Sequence, residues 1–228
     1  GKDVERHPSL DEPFSAFVFK TMVDPYTGKL SIFRIYSGKI QSDSVILNSS
    51  KNIKEKISHL YRVHGKKLKE IGTASAGEIV AVAKFKDTAT GDTLCDEHHP
   101  VLFPTIPPVN AVLSYAITPK TKSDEDKLHP AILKLIDEDP AIRFTRGDET
   151  KEFILSGVGQ VHLEVSIERL KRKYGVDVEL NTPKVPYKET IRSSVKVQGR
   201  YKKQSGGRGQ YGDAWIELKP LPKGAGFE

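Results

Sequence analysis

Three prolines within five positions divide this sequence, and no other feature constrains its fold as strongly. The segment reads Phe103-Pro104-Thr105-Ile106-Pro107-Pro108. Proline fixes φ and removes a backbone donor, so an extended, stiff linker is predicted here. The sequence patterns on its two sides differ, so the linker is predicted to be a domain boundary.

Residues 14–103 are predicted to form strands. Short runs rich in Val, Ile and Phe alternate with turn residues such as Ser37-Gly38 and Ala76-Gly77. The predicted strands are Phe14–Met22, Leu30–Tyr36, Ser44–Leu47, Glu55–Val63 and Glu78–Phe85. Short strands at near-regular spacing favour an antiparallel barrel or sandwich. Alternation of apolar and polar residues is imperfect, as in a small closed barrel, and an antiparallel β-barrel is predicted at about 10–103.

The pattern after the linker is strand–helix–strand–strand–helix–strand. The first helix is predicted to start at Ser123, with Asp126 completing a capping box, and to end at Asp139-Pro140. Pro130 lies inside it and predicts a kink or a later start. The second helix is predicted to end at Gly175. This order is the ferredoxin-like βαββαβ arrangement, predicted at about 109–182.

The segment from 184 onward has a third composition. It holds ten basic and four acidic residues, a net charge of +6, so residues 1–183 contribute no net charge. A basic end of this kind indicates a polyanionic partner, most commonly nucleic acid, and the alternative is a face that only improves solubility. Two or three predicted strands without a helix cannot form a complete α/β domain. We therefore expect 184–228 to be the start of a further domain, and the chain to be an internal fragment.

Composition and missing motifs exclude several classes of protein. The charged fraction of 29% and apolar fraction of 37% fit a globular protein, without a membrane-spanning run or a signal peptide. Cys95 is the single cysteine, which fits a reducing compartment. Gly72 and Gly77 have the glycine spacing of a phosphate-binding loop, but Glu78 follows where lysine is required. Without that lysine, no GTP binding is predicted, and no catalytic residues are predicted either. No metal site is predicted, because Cys95 and His98-His99 provide too few zinc ligands.

Several segments resemble translation elongation factor G, in family order and over nearly the whole chain. The segments are Asp11–Phe14, Asp24–Leu30, Arg34–Gly38, Ala76–Ile79, Lys86–Cys95, Glu138–Pro140, Ser156–Glu164, Tyr187–Ile191 and Gln204–Gly212. The resemblance implies that the barrel is the second domain, the ferredoxin-like region the third, and 184–228 the start of the fourth.

The same resemblance implies a function. The chain would be the ribosome-binding segment of a translational GTPase that promotes tRNA–mRNA translocation, with the third domain acting as a hinge. Its partners would be ribosomal RNA, tRNA–mRNA at the decoding site, its own GTPase domain, and the remainder of the fourth and fifth domains. GTP and Mg would bind to the parent's N-terminal domain. A cytoplasmic monomer that does not bind membranes is expected.

The Gly-rich loop Gln204–Gly212 is the strongest candidate for RNA contact. Its glycines permit close approach to another surface, an arginine can bind phosphate, and Gln and Tyr can contact unpaired bases. The predicted RNA-binding residues are Arg200, Lys202, Lys203, Gln204, Ser205, Gly206, Gly207, Arg208, Gly209, Gln210, Tyr211 and Gly212. The alternatives are a flexible hairpin turn for the loop and a solvated strand face for Arg200, Lys202 and Lys203.

A second candidate is the third-domain loop, which the resemblance places against the GTPase domain. Its predicted interdomain residues are Gly157, Gly159, Gln160, His162 and Glu164. A lone His-x-Glu at a helix start is more often structural than catalytic. The family loop usually reads Gly-Met-Gly-Glu-Leu-His, so Gln160 replaces its acid. With Ser42 in place of the usual Gly and Ala83-Lys84-Phe85 in place of a Gly-Leu pair, this indicates a divergent paralogue.

Two other functions are considered. The parent protein is alternatively a ribosome-recycling or ribosome-protection paralogue that binds without translocating. From a different class, the chain is a free-standing RNA-binding module that uses the ferredoxin-like sheet as its platform. Such sheets usually present aromatic residues at alternate positions of the central strands; Phe144 and Phe153 do not form that signature.

Overall fold

A computed structural model describes residues 3–24, 27–65, 67–187, 189–204, 206–207, 209–222 and 224–227. The chain divides into two compact units, Gly1–Lys184 and Val185–Glu228.

The described residues of the first unit form fourteen strands and two helices. They are β1 (Ser15–Asp24), β2 (Gly28–Ser37), β3 (Lys39–Gln41), β4 (Val45–Asn48), β5 (Ile53–Lys56), β6 (Leu60–His64), β7 (Lys67–Ile71), β8 (Thr73–Ser75), β9 (Ile79–Ala83), β10 (Thr93–Cys95), β11 (Leu113–Pro119), α1 (Lys122–Glu138), β12 (Arg143–Arg146), β13 (Phe153–Gly157), α2 (Gln160–Tyr174) and β14 (Val178–Asn181). The second unit contains β15 (Val195–Lys203) and β16 (Gln210–Leu218).

The first ten strands form the predicted antiparallel barrel. Eight of them pair in the order β5-β4-β10-β1-β2-β9-β6-β7, and β3 pairs with β8. Fully buried side chains such as Phe33, Ile35 and Leu94 fill its interior. Gly38 has φ +69° and lies against the backbone of Glu12 and Phe14, where a Cβ would be only 2.5 Å from a carbonyl oxygen. Only glycine fits this close approach.

The predicted strand Glu55–Val63 is instead two strands. β5 ends at Lys56 and β6 begins at Leu60. Ile57 and Leu60 are both fully buried, although residues three positions apart in one continuous strand would lie on opposite faces. The bend between the strands lets both side chains reach the core, so the gain from burial outweighs regular alternation.

A buried polar network orders the loop before β10. Glu55 is 3% exposed, and its carboxylate accepts hydrogen bonds from three backbone amides, at Lys86, Asp87 and Thr88, over 3.0–3.2 Å. The Thr88 hydroxyl also donates to Glu55, at 2.9 Å. A neighbouring Asn48 side chain donates to Thr88 and to the Asp92 carboxylate, at 3.1 and 2.8 Å. Most of these donors are main-chain groups, so the buried charge is well compensated.

The rest of the first unit has the predicted ferredoxin-like topology. Its antiparallel sheet has the order β12-β13-β11-β14. The two helices pack on one face around Leu128, Ile132, Leu155, Leu163 and Leu170. The helices belong to the same hydrophobic cluster as the strands because their apolar residues recur every three to four positions.

The start of α1 differs from its prediction, whereas the predicted ends of both helices, at Asp139-Pro140 and at Gly175, are confirmed. The N-cap of α1 is Thr121, not Ser123, and its capping-box partner is Asp124, not Asp126. The helix begins well before Pro130, so the predicted later start is wrong; Pro130 is exposed while Leu128 is buried. Burial of apolar side chains along α1 thus outweighs the loss of the helical hydrogen bond that Pro130 cannot donate. The predicted end of α2 at Gly175 is confirmed, with φ 64°.

The described part of the second unit is built on one antiparallel hairpin. The strands β15 and β16 pair in unbroken register from Val195↔Leu218 to Lys203↔Gln210. Every residue of both strands is exposed. This hairpin therefore has no buried face in the structure.

Candidate functional site

The predicted RNA-binding residues lie at the end of the β15–β16 hairpin. Arg200, Lys202 and Lys203 are on β15, and Gln210, Tyr211 and Gly212 are on β16. Gln204, Gly206, Gly207 and Gly209 belong to the connection, where Gly206 has φ 73°. The predicted residues Ser205 and Arg208 lie outside the described residues.

The hairpin register separates two faces of different chemistry, because directly paired residues share a face. The basic face consists of Lys196, Gln198, Arg200, Lys202, Tyr211, Asp213, Trp215 and Glu217. The apolar face consists of Val195, Val197, Gly199, Tyr201, Lys203, Gln210, Gly212, Ala214, Ile216 and Leu218. The predicted group of three cations is therefore divided, since Lys203 lies on the opposite face from Arg200 and Lys202.

Hydrogen bonds and ring contacts organise the basic face. The Arg200 guanidinium lies 5.6 Å from the centre of the Tyr211 ring. The Tyr211 hydroxyl donates to Asp213 Oδ2 at 3.2 Å, and Gln198 Nε2 donates to both Asp213 oxygens at 2.9 and 3.2 Å. These contacts hold the tyrosine ring beside a cation in an exposed position.

A second ring on the basic face was not predicted to belong to the site. The Lys196 ammonium lies 5.9 Å from the centre of the Trp215 ring. Gln198 on the same face was not predicted either. Lys196, Gln198 and Trp215 could have been placed with Arg200 by counting strand positions outward from the Gly-rich loop, because alternate residues share a face.

The third-domain loop is built around His162. The Val158 amide donates to His162 Nδ1 at 3.0 Å, so this nitrogen is the acceptor and Nε2 carries the proton. His162 Nε2 then donates to Asp139 Oδ2 at 2.9 Å. A Cβ at Gly157 would lie 2.7 Å from His162 Nδ1, which requires glycine there unless the ring moves.

This arrangement joins two sequence motifs that are far apart in the chain. Asp139 ends α1 and follows Glu138, whereas His162 lies in the first turn of α2.

The other predicted residues of this loop do not contact His162 through a described hydrogen bond. Gln160 and Glu164 are exposed and hydrogen-bond each other at 2.9 Å, and Gly159 is the N-cap of α2 without a side-chain bond. Val158, Val161 and Val165 are exposed beside them.

Acidic residues at the end of α1 bind the barrel. The Val23 amide of β1 donates to Glu138 Oε1 at 2.7 Å, and Lys173 Nζ lies 2.6 Å from the same oxygen. Lys29 Nζ of β2 donates to Asp137 at 2.8 Å. Burial, together with the Glu138 carboxylate, raises the pKa of Tyr174, which keeps its hydroxyl protonated.

Within the described part of the chain, no cluster of three or more His, Cys, Asp or Glu side chains is suited to a metal ion. His99 instead lies 3.0 Å from Asp96, and Cys95 is buried. None of the described helices is long and apolar enough to cross a bilayer.

Three consecutive regions of the chain match three known domain families. The family described as elongation factor G domain 2 matches residues 13–97, elongation factor G domain III matches 107–182, and elongation factor G domain IV matches 183–228. The chain belongs to the elongation factor G family. The matches follow the family's domain order, and together they extend from the barrel to the last residue.

A solved structure supports this assignment. A protein of Thermus thermophilus is 39% identical, with a TM-score of 0.74. The match covers 92% of this chain and 32% of the Thermus chain, so the present chain spans about a third of the length of that protein. In elongation factor G terms, the loop around His162 belongs to domain III and the β15–β16 hairpin to domain IV. The chain is thus a translation elongation factor segment.

Proposed function

We propose that this segment binds the ribosome as part of a cytoplasmic translational GTPase that promotes tRNA–mRNA translocation. The β15–β16 hairpin would contact ribosomal RNA and the tRNA–mRNA complex at the decoding site. GTP and Mg would bind in the GTPase domain of the parent protein. The supporting observation is the hairpin itself, which exposes cations, aromatic rings and glycines in the part of the chain that carries all of its net charge.

The domain III loop would contact the GTPase domain of the parent. Its exposed Val158, Val161 and Val165 support this role, because neighbouring apolar side chains on a helix start favour protein contact over solvent. His162 would hold the loop in shape rather than take part in catalysis, since both of its ring nitrogens have protein partners. Glu138 and Asp137 would set the position of the hinge domain on the barrel.

The test is ribosome binding over a salt series, with wild type beside the double variant Arg200→Ala/Lys202→Ala. Each phosphate contact releases counterions, so removal of two cations should lower the slope of log K against log salt by roughly 1 to 2. Lys54→Ala, an exposed barrel lysine, is the matched control and should leave the slope unchanged. Equal slopes for all three proteins would contradict the proposal.

The recycling or protection alternative requires a different measurement. A translocation assay of the full-length parent would separate the two, because a recycling or protection factor binds the ribosome without moving tRNA and mRNA.

The free-standing RNA platform is less favoured by the third-domain sheet. Phe144 pairs with the buried Leu155, and Phe144 and Phe153 pack with the helix-side core. The other face of the central strands carries Ser114 and Ser156, whose hydroxyls lie 2.7 Å apart. A sheet with its aromatic rings against the helices lacks the exposed stacking residues of such platforms.

A further inference from the structure

We infer that the basic face of the β15–β16 hairpin is a stacking platform for unpaired RNA bases, with Trp215 and Tyr211 as its two rings. The inference rests on the proposed function and makes it more specific. It names the chemical class of the ligand, and it assigns contact residues on the strands in addition to the Gly-rich loop.

The two aromatic rings of the basic face are accessible to a ligand. Trp215 is 62% exposed and Tyr211 is 64% exposed. They are four residues apart on one strand and share a face, so they lie about 14 Å apart at the usual strand rise. Two rings at this spacing can contact two bases of one extended strand.

Each of the two rings, Tyr211 and Trp215, lies beside a cation. Arg200 lies over Tyr211 and Lys196 over Trp215. The Asp213 carboxylate accepts the hydroxyl of Tyr211, which restricts the ring before any ligand arrives. Each cation is thus near enough to bind the phosphate of a nucleotide whose base stacks on the neighbouring ring.

The rings and the low net charge of the basic face favour unpaired RNA over a duplex. Stacking on a side chain requires the face of a base, and paired bases inside a helix cover their faces with one another. The basic face has three cations against two carboxylates, Asp213 and Glu217, which is too little charge to bind a duplex through its phosphates alone. Ring stacking must then provide much of the affinity.

The opposite face provides an internal comparison. It carries Val195, Val197, Ile216 and Leu218, with Lys203 as its single cation. Those aliphatic side chains can neither stack on bases as aromatic rings do nor bind phosphate. Tyr201 also lies there, 56% exposed and paired with Gly212, so one hairpin presents a similarly exposed tyrosine on each face.

Trp215 is the only tryptophan in the chain and gives a direct signal. The chain is titrated with a 12-nucleotide single-stranded RNA of mixed sequence, and with the same RNA annealed to its complement, while Trp215 fluorescence is recorded. We expect the single strand to quench the fluorescence and the duplex to leave it nearly unchanged. Tyr211→Ala should weaken single-strand binding about tenfold or more, whereas Tyr211→Phe should bind close to wild type.

Tyr201→Ala is the matched control and should bind like wild type. Equal loss of affinity in Tyr201→Ala and Tyr211→Ala would overturn the assignment to the basic face, and equal quenching by duplex would overturn the preference for unpaired bases. Absence of quenching in a chain that still binds ribosomes with a salt slope would refute this inference and leave the proposed function standing. Absence of both RNA binding and ribosome binding would refute both. Quenching of wild-type Trp215 needs no variant, so the test holds even where Tyr211→Ala fails to fold.

Discussion

The barrel and the β15–β16 hairpin are both antiparallel β structure, but they use their side chains in opposite ways. In the barrel, strand β1 buries five of its ten residues, and loops are ordered by buried carboxylates. In the hairpin, all eighteen strand residues are exposed. The hydrophobic effect therefore stabilises the barrel, whereas within this chain the hairpin buries neither of its faces.

Phe33→Ala should destabilise the barrel by about 3–5 kcal/mol, because it removes a fully buried ring from the core. Thermal unfolding followed by far-UV circular dichroism measures the change. Ile216→Ala on the exposed apolar face of the hairpin should change stability by less than about 0.5 kcal/mol. A large effect of Ile216→Ala would show that the hairpin has a buried face in solution.

Glu55→Gln should cost roughly 3 kcal/mol, since the uncharged amide cannot accept from all four of its donors and leaves buried amides without a partner. Urea unfolding of the chain would measure the loss. Glu70→Gln is the matched control, because Glu70 is exposed and contacts only His59 among the bonds described. Similar losses of unfolding free energy in Glu55→Gln and Glu70→Gln would contradict the expectation that the buried carboxylate contributes more stability than the exposed one.

His162→Ala should cost about 1–2 kcal/mol through the loss of its bonds to Val158 and Asp139. Gly157→Ala should give a similar loss by steric contact with the same ring. Gln160→Ala breaks an exposed bond one turn away and should cost less than about 0.5 kcal/mol. Thermal unfolding of the three variants gives the comparison, and an unchanged His162→Ala midpoint would refute the structural role of the histidine.

A weaker effect is expected from pH. The Asp177 carboxyl has its pKa held below the ordinary value of 3.8, chiefly by Lys171 and then by Lys120. A Thr121 hydrogen bond similarly lowers the pKa of Asp124. The unfolded state then binds more protons in acid, so this stabilisation is complete above the ordinary pKa and is lost as pH falls through the lowered one. Melting temperatures between pH 6 and pH 2 should fall less steeply in Asp177→Asn, while Trp215 fluorescence of the hairpin should not follow this difference.

The fold was predictable where periodicity and turn chemistry agreed. Gly175 ended α2 as predicted, and the order of elements in the third domain identified its sheet. The predictions failed where tertiary burial opposed a local rule. The bend after β5 buries both Ile57 and Leu60, and α1 continues through Pro130 because its apolar residues pack against the sheet.

The candidate sites were predictable in part, for a related reason. Glycines and cations near 204–212 stand out in the sequence, whereas the role proposed for Trp215 depends on strand register, which pairs it with Gln198. The bond between His162 and Asp139 joins residues that are 23 positions apart. No local pattern specifies that contact, because it depends on how α1 and α2 pack.

The contact between Glu138 and β1 has a consequence for how the sequence can vary. The carboxylate accepts from the main-chain amide of Val23, and every residue except proline supplies that amide. Position 23 is therefore free to change without affecting the bond, while position 138 must keep its acceptor. Substitutions at the two positions should not be correlated among relatives, so this bond would be invisible to methods that infer contacts from covariation, unlike the side-chain pair of Lys29 and Asp137 at the same junction.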